Sequence, residues 1–245
     1  MKLTVLGKYG PYPRAGGATS GYLLAEGRTN LLVECGSGIL SRLQQCIPLG
    51  EISGIVLSHL HSDHIADMFI LRYALQILQQ RGEAKNVPIK VFAPAQPAYD
   101  LQALRASGMF EFLTMETGLH VRLGDFDLDF SEMTHPVPSY AVRFTGESSV
   151  LAYTGDTNWN DEIVPFVEGA DLLLADCGLL KKEKTGPAVP HLTADEVGRI
   201  AVQSGVRRLI CTHINPRHDE AEVLVQAQAH FAGAVLAKEM HSYEI

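Results

Sequence analysis

Residues 58–64 read Ser-His-Leu-His-Ser-Asp-His, which places three imidazoles and one carboxylate in a single short segment. The segment follows a short apolar run that is typical of a buried strand. In an extended chain the side chains of His59 and His61 point the same way, so they can converge on one ion. Asp63 and His64 come at the start of the next predicted helix and face a neighbouring point. Imidazole and carboxylate groups bind zinc, manganese or iron, so the pattern predicts a metal site rather than a polar turn.

Three more candidate ligands each follow a strand-like run later in the chain. They are His135, Asp156 in the run TGDT, and His213 in the run THINP. Taken singly, each has an ordinary structural explanation: a turn residue before a proline, a helix cap, and a polar strand end. Ligands from one loop rarely complete a catalytic site, so the later residues are more economically explained as parts of the same site. We therefore expect loops at one edge of the predicted sheets to bring these side chains together.

Apolar periodicity predicts the elements that must position these residues. Short alternating or continuous apolar runs predict strands, and apolar positions three and four residues apart predict helices. The predicted strands are 3–6, 21–25, 30–34, 54–58, 88–93, 171–175 and 208–212, with further β structure over 120–154, and the predicted helices are 39–47, 65–81, 98–107, 194–204 and 220–231. Two groups of strands flanked by helices predict an α/β fold in which two sheets pack together with helices outside.

Local capping signals mark the start of the helix predicted at 194–204. Thr193 and Glu196 have the spacing of a capping box, and Leu192 and Val197 are placed as a hydrophobic staple. His191 therefore stands just outside a helix N-terminus, beside backbone N–H groups that favour anions.

Length, composition and charge limit the class of protein. The 245 residues are 46% hydrophobic and 20% charged, which predicts one globular domain spanning 1–245. A net charge of −8 and the lack of a sizeable basic patch argue against an extended nucleic-acid partner. The sequence shows no apolar run typical of a membrane span or an export signal, so we expect a cytoplasmic protein without a membrane partner. The four cysteines have no CxxC spacing and lie near apolar runs, so we expect reduced, buried thiols.

The order of the candidate ligands resembles that of the metallo-β-lactamase superfamily. HLHSDH fits the HxHxDH motif of that superfamily, and His135, Asp156 and His213 follow in the family order. The resemblance extends over essentially the whole chain and includes the segment LLVECGSG, in which Glu34 replaces the family's aspartate. It implies a four-layer αββα sandwich and a site for two divalent transition-metal ions, with zinc preferred and manganese or iron as alternatives.

The resemblance also implies how the ligands are shared between two ions. One ion would be bound by His59, His61 and His135, the other by Asp63, His64 and His213, and Asp156 would bridge them. A water or hydroxide between two ions is a sound nucleophile, because each ion lowers the pKa of bound water towards about 7. Asp63 would also act in catalysis by orienting this nucleophile or accepting its proton.

Within the superfamily the chain is most similar to ribonuclease Z and related phosphodiesterases. The similarity lies in LADCG with Asp176, HLT with His191, and the segment THINPRH. It implies that His191 protonates the leaving group or contacts the phosphate and that Asp176 orients this histidine. The alternative for Asp176 is a strand-end carboxylate with a local hydrogen bond. The short segment between Asp156 and His191 leaves no room for the arm with which ribonuclease Z grips tRNA, so the expected substrate is a small or cyclic phosphodiester or nucleotide, with tRNA 3′ processing as an alternative.

The glycine-rich segment 7–22 lies where the superfamily borders its active site. Its glycines permit close approach of the backbone to a ligand. Lys8 and Arg14 are candidate substrate-binding residues that would meet a phosphate. The alternative is a plain surface loop.

Two other functions fit parts of the sequence. One is hydrolysis of a lactone, thioester or β-lactam on the same scaffold, over which the Asp63-His64 pair and the HLT and THINPR segments favour the phosphodiesterase. The other is a non-catalytic nucleotide-binding module, against which the complete ligand set argues. The sequence leaves the oligomeric state open, with a homodimer as one alternative.

Overall fold

The computed structural model describes residues 1–84, 86–186 and 189–245, and these residues form two mixed sheets of seven strands each. The strands are β1 Lys2–Gly7, β2 Gly21–Glu26, β3 Thr29–Val33, β4 Gly54–Val56, β5 Ile89–Ala93, β6 Phe110–Thr114, β7 His120–Leu123, β8 Phe126–Met133, β9 Ser139–Thr145, β10 Val150–Tyr153, β11 Leu172–Asp176, β12 Leu209–Thr212, β13 Val235–Leu236 and β14 His241–Glu244. The α-helices are α1 Ile39–Leu43, α2 Ser62–Ile65, α3 Met68–Gln80, α4 Ala98–Arg105, α5 Ile163–Val167, α6 Ala194–Gln203 and α7 Glu220–Gln228. Short 3₁₀ turns occupy Leu49–Glu51 and Lys181–Glu183.

Each sheet combines an antiparallel part and a parallel part. The first has the order β14-β1-β2-β3-β4-β5-β6 and is parallel from β3 to β6. The second has the order β13-β12-β11-β10-β9-β8-β7 and is parallel from β10 to β13. Strands that run in the same direction end at the same edge of a sheet. The loops after β3 and β4 in one sheet, and after β8, β10, β11 and β12 in the other, can therefore meet at one end of the molecule.

Three buried clusters establish the four layers. One lies between the sheets and contains side chains from both, among them Leu31 and Val33 of β3 and Leu172 and Leu174 of β11. The intervening residues of the same strands face outward: Leu32 packs in a cluster with helices α1 to α4, and Leu173 in a cluster with α5 to α7. Alternation along each strand thus buries both faces of each sheet. The predicted α/β fold, an αββα sandwich, is confirmed.

The capping signals before α6 are confirmed. The side chain of Thr193 accepts a hydrogen bond from the N–H of Glu196, and the Glu196 side chain accepts one from the N–H of Thr193. Leu192 and Val197 are fully buried in one cluster, as expected for the two ends of a staple. These contacts anchor the first turn of α6 and with it the preceding loop that carries His191.

Several boundaries differ from the prediction. The helix expected over 65–81 begins three residues later, at Met68, and Ser62–Ile65 form a separate short helix before it. The two are separate because the N–H of Asp67 donates to the carbonyl of Cys35 over 3.0 Å instead of continuing the first helix. The helix expected over 39–47 ends at Leu43, so Cys46 lies in the following turn and is exposed. The prediction of buried thiols is therefore wrong for Cys46 and right for the other three, and all four are free. Strands β6, β13 and β14 and helix α5 were not predicted.

Across residues 1–84, 86–186 and 189–245, no helix has both the length and the apolar character needed to cross a bilayer.

Candidate metal centre

The predicted ligands lie together where strand ends of the two sheets meet. They reach this edge from different elements: His59 and His61 follow β4, Asp63 and His64 lie in α2, and His135, Asp156 and His213 follow β8, β10 and β12. A backbone hydrogen bond of 3.0 Å from the N–H of Tyr140 to the carbonyl of Ser58 joins the sheets near this edge. The side chains form overlapping groups in which the possible ligand atoms lie within 4.8 Å of one another.

Three imidazoles form the first group. Nδ1 of His61 lies 3.0 Å from Nε2 of His59 and 3.2 Å from Nε2 of His135. A tetrahedral zinc ion with bonds of about 2.0–2.1 Å to nitrogen holds its ligand atoms roughly 3.3 Å apart. Nδ1 of His61 therefore lies at about the distance from each of the other two nitrogens that one ion requires, and the possible ligand atoms of all three residues lie within 4.8 Å of one another. His59 is fully buried while His61 and His135 are partly exposed, so the group opens to the surface on one side.

Asp63, His64 and His213 form the second group, and Asp156 lies between the two. Oδ2 of Asp63 is 3.2 Å from Nε2 of His213 and 3.5 Å from Nε2 of His64. Oδ2 of Asp156 is 3.2 Å from Nε2 of His213, 3.4 Å from Nε2 of His64 and 3.7 Å from Nε2 of His59. This one carboxylate is thus in reach of ligand atoms from both groups.

The buried polar atoms around the carboxylate of Asp156 could bind a cation. Oδ1 of Asp156 and Nε2 of His64 are buried and have no well-formed hydrogen bond among the described residues. An unsatisfied buried polar group costs about 1–3 kcal/mol, so several of them around one point are unfavourable unless a cation satisfies them. The donor set of imidazoles and carboxylates suits zinc, manganese or iron. The cluster can therefore hold metal.

Each of four ligand imidazoles turns its second ring nitrogen toward a protein oxygen. Nδ1 of His59 lies 3.0 Å from Ser58 Oγ, and Nδ1 of His135 lies 3.1 Å from the carbonyl oxygen of Pro190. The other two nitrogens face carboxylates: Nδ1 of His64 lies 3.4 Å from Glu34 Oε2, and Nδ1 of His213 lies 3.4 Å from Asp176 Oδ1. A carbonyl or carboxylate oxygen can only accept, so Nδ1 carries a hydrogen in His64, His135 and His213, while the serine hydroxyl beside His59 can either donate or accept. In all four rings Nε2 is the nitrogen on the side of the cluster. Partners of this kind orient metal-binding histidines and raise their basicity.

Glu34 is a site residue to which the sequence assigned no role. It is fully buried at the end of β3 and has a positive φ of 59°. Its Oε1 accepts the N–H of Ser58 over 3.0 Å, and its Oε2 faces His64. A carboxylate placed directly after an apolar strand, with no cation near it in sequence, is the signal that could have revealed it.

The histidines of the first group are poised to bind metal at neutral pH. Burial lowers the pKa of His59, His61 and His135, because it disfavours the charged imidazolium. These rings are therefore neutral near pH 7, and each has a free lone pair for an ion.

The histidines of the second group are protonated when no ion is bound. Burial opposes charge on His213, but Asp156, Asp176 and Asp63 outweigh it and raise its pKa to about 10. Burial likewise opposes charge on His64, yet Asp156 above all raises its pKa well above the usual range. Protons on these two rings neutralise the surrounding carboxylates, and a metal ion would replace them.

The residues predicted to act in proton transfer adjoin this cluster. Nδ1 of His191 lies 2.9 Å from Oδ2 of Asp176 and 3.8 Å from Oδ2 of Asp156, and its ring stacks on that of His213 with centroids 5.1 Å apart. Asp176 also accepts the N–H of Gly178 over 2.8 Å. The Asp176 carboxylate therefore contacts both His191 and His213 and is more than a strand-end group with a local hydrogen bond.

The two predicted phosphate-binding cations contact a carboxylate of α7. Nζ of Lys8 donates to Glu220 over 2.9 Å, and Arg14 donates to the carbonyl of Pro216 over 3.0 Å while lying 3.6 Å from Glu220. Segment 7–22 does border the cluster, but it does so through the backbone of Gly10, which packs on the ring of His213. Phosphate binding by Lys8 and Arg14 stays a prediction.

The comparison with known families agrees with this arrangement. A family model described as the beta-lactamase superfamily domain matches residues 29–214, which include the whole predicted ligand set. The chain belongs to the metallo-β-lactamase superfamily. The resemblance inferred from HLHSDH is therefore confirmed.

Individual members of the metallo-β-lactamase superfamily extend this assignment. The chain is 35% identical over 214 residues to the probable metallo-hydrolase YhfI of Bacillus subtilis, with 87% of each chain covered. The crystal structure of YhfI superposes with a TM-score of 0.93 at 33% identity and covers 100% of this chain and 99% of that one. Ribonuclease Z of Archaeoglobus fulgidus is 25% identical over 301 residues, with 100% of this chain and 98% of the relative covered. The protein is thus a metallo-hydrolase of this superfamily.

Proposed function

We propose that the protein is a phosphodiesterase that hydrolyses a small or cyclic phosphodiester, such as a cyclic nucleotide. Its site would hold two divalent ions, zinc first and manganese or iron as alternatives. The first ion would be held by His59, His61 and His135, the second by Asp63, His64 and His213, and Asp156 would contact both. Ions bound there supply Lewis acidity toward a phosphoryl oxygen and lower the pKa of water.

The pairing of His191 with Asp176 is the observation that carries this proposal. Asp176 holds Nδ1 of His191 at 2.9 Å, while Nε2 of His191 has no partner among the described residues, and the side chain is 19% exposed. Burial opposes protonation of this ring, but Asp176 outweighs it and raises the pKa of His191. His191 is therefore a protonated donor with one free N–H beside the cluster, as a general acid requires.

The type of leaving group distinguishes a phosphodiester from a thioester. An alkoxide released from a phosphodiester is a strong base and needs a proton as the bond breaks. A thiolate, whose conjugate acid has a pKa of about 8.5, leaves readily without one. An oriented imidazolium next to the cluster therefore supports hydrolysis of an ester with an alkoxide leaving group.

Asp63 would act on the attacking water, whereas His191 would act on the leaving group. Burial raises the pKa of this carboxyl, but hydrogen bonds from His213 and His64 outweigh it and hold the pKa far below its usual range. Asp63 is therefore an anion whose carboxylate can accept a hydrogen bond from the attacking water and orient it, whereas so low a pKa makes it a weak acceptor of the proton itself.

The proposal of a small substrate rests on segments that ribonuclease Z has and this chain lacks. The alignment with the Archaeoglobus protein extends over 301 positions while this chain has 245 residues, so the relative contains segments without a counterpart here. Together with the net charge of −8, this supports a small-molecule partner over an extended nucleic acid. A cytoplasmic location and a homodimer stay predictions.

A substrate panel tests the proposal. Protein stripped with a chelator and reloaded with zinc, manganese or iron would be assayed on bis(p-nitrophenyl) phosphate, cyclic nucleotides, precursor tRNA, a lactone and a thioester. We expect turnover of the small phosphodiesters, loss of turnover in His61→Ala, and no loss in His120→Ala, a matched change at an exposed histidine of β7. Loaded protein that hydrolyses none of the phosphodiesters would refute the proposal, and preference for precursor tRNA would overturn the assignment to small substrates.

A further inference from the structure

The backbone of Gly10 fills the space beside the metal-facing edge of His213. A Cβ atom built on Gly10 would lie 1.9 Å from Nε2 of His213 and 2.2 Å from its Cε1. Real contacts of this kind do not occur below 3.0 Å, so only glycine lets the chain approach the ring this closely. Nε2 is the same atom that lies 3.2 Å from both Asp63 and Asp156. Segment 8–14 is therefore one wall of the pocket that holds this ligand.

Backbone hydrogen bonds tie that wall to the residue after the ligand. The N–H of Ile214 donates to the carbonyl of Lys8 over 2.8 Å, and the N–H of Gly10 donates to the carbonyl of Ile214 over 3.2 Å. His213 itself has a positive φ of 51°, in the left-handed region that residues with a side chain rarely adopt. The flanking bonds hold the ligand in this conformation.

Side chains of the same segment converge on one carboxylate, that of Glu220 in the first turn of α7. Nζ of Lys8 and the hydroxyl of Tyr9 donate to Glu220 over 2.9 and 3.1 Å, and Arg14 lies 3.6 Å from it. Both cations also lie over the ring of Tyr9, at 5.2 and 5.5 Å from its centroid. The Lys8 side chain is only 9% exposed, so solvent screens this pair less than an ordinary surface pair. No other carboxylate among the described residues contacts Lys8 or Arg14.

We infer that Glu220 is a positioning residue for the metal site. By gathering Lys8, Tyr9 and Arg14 it fixes segment 8–14, and the Gly10 backbone in that segment fixes the ring of His213. The inference rests on the proposed function insofar as His213 is a ligand of the second ion. Glu220 is thus linked to His213 through segment 8–14 and does not contact the ring of His213 itself.

Glu220→Gln tests the inference, with Glu222→Gln as the matched control. Glu222 lies two residues further along α7 and also pairs with a lysine, Lys182, but it has no link to segment 8–14. Zinc affinity would be measured by calorimetry and by competition with a chromophoric chelator. Loss of a partner bonded directly to a ligand typically weakens a metal site 10- to 100-fold. Glu220 acts one step further out, so we expect a weakening of up to about tenfold for the second zinc ion in Glu220→Gln and none in Glu222→Gln. Equal weakening of both ions, or unchanged binding, would overturn the inference.

Gly10→Ala provides a direct second test, because the added methyl occupies the position of the His213 ring. We expect uptake of a single zinc ion, whereas Gly186→Ala, where an added Cβ meets nothing within 4 Å, should take up two. Two tightly bound ions in Gly10→Ala would contradict the inference.

A measurement without metal separates this inference from the proposed function. Long-range ¹H–¹⁵N spectra of the imidazoles in zinc-free protein should show shifted His213 signals in Glu220→Gln and unshifted ones in Glu222→Gln. If the wild-type protein binds only one zinc ion, the two-ion site is wrong, yet shifted His213 signals would still support the positioning role. Unshifted signals would refute that role whatever the stoichiometry.

Discussion

The two halves of the metal centre should respond differently to pH. The first group contains His59, His61 and His135, whose pKa values are lowered by burial, so an ion binds there without displacing protons at neutral pH. In the second group His213 has a pKa of about 10, so an ion must displace the proton on Nε2. Metal binding by protonated ligands releases protons, and the affinity then rises with pH.

The free-energy cost of displacing this proton, and with it the pH dependence of metal binding, follows from the pKa of His213. At pH 7, three units below 10, about one molecule in a thousand has this ring neutral, so displacing the proton costs about 4 kcal/mol at 1.36 kcal/mol per unit. Between pH 6.5 and 8.5 the dissociation constant of the second ion should fall by about 100-fold for this one proton. His64, with its pKa also raised well above the usual range, makes the dependence steeper in the same direction. The first ion should show no such dependence above pH 7.

Zinc titrations buffered by a chelator across this pH range measure both dissociation constants. Calorimetry at pH 7 in two buffers of different ionisation enthalpy counts the protons released. In His213→Ala the second zinc ion should bind more weakly and the pH dependence of its dissociation constant should fall to the part that His64 contributes, while the first zinc ion binds as before. Release of less than one proton with the second ion, or equal pH dependence for both ions, would refute the reasoning.

Four substitutions give further expectations. His61→Ala should lower metal content and activity together, by metal analysis and assay, while His120→Ala changes neither; retained metal would remove His61 from the ligand set. His191→Ala should lower kcat for a cyclic nucleotide, which has an alkoxide leaving group, by about 10²- to 10⁴-fold and leave metal content nearly intact, and loss of metal would refute its role as an acid. Glu34→Ala should weaken zinc binding about 10- to 100-fold in a competition titration, because His64 loses its orienting partner, and unchanged affinity would contradict this. Thr193→Ala should lower the free energy of unfolding by about 1 kcal/mol in urea without changing metal content, and an unchanged free energy would show that the cap is not needed.

Local patterns were sufficient to single out the candidate ligands that the structure brings together. His59, His61, Asp63 and His64 are adjacent in sequence, and their geometry depends on a strand end and one helical turn. The capping box before α6 is equally local, since both partners lie within four residues. Strand alternation predicted the two sheets and the helices outside them, because each strand buries alternate side chains on opposite faces.

Contacts between distant parts of the chain decided the rest of the site. Lys8 and Glu220 are 212 positions apart, and nothing in the sequence near either residue indicates that they pair. The same holds for the contact of Asp176 with His213 and for that of Glu34 with His64, whereas the pairing of Asp176 with His191 was expected from the family resemblance.

Short, weakly patterned elements were also missed. Strands β6, β13 and β14 gain their hydrogen bonds from neighbours far away in sequence, and β14 pairs with β1 at the opposite end of the chain. The break between α2 and α3 arises because Asp67 bonds to the carbonyl of Cys35.

The sequence by itself therefore determined which side chains can bind metal, because ligand type and short-range spacing are local properties. Only the tertiary structure decided which ring nitrogen of each histidine faces the cluster, which oxygens lie beside the other nitrogens, and what Lys8 and Arg14 contact. Those features depend on where separate strand ends meet, and packing of the two sheets sets that meeting point. The positive φ of His213 and the close approach of the Gly10 backbone to its ring also depend on the tertiary structure. Both arise only when segment 8–14 packs against His213, so neither can be predicted from the neighbouring residues in sequence.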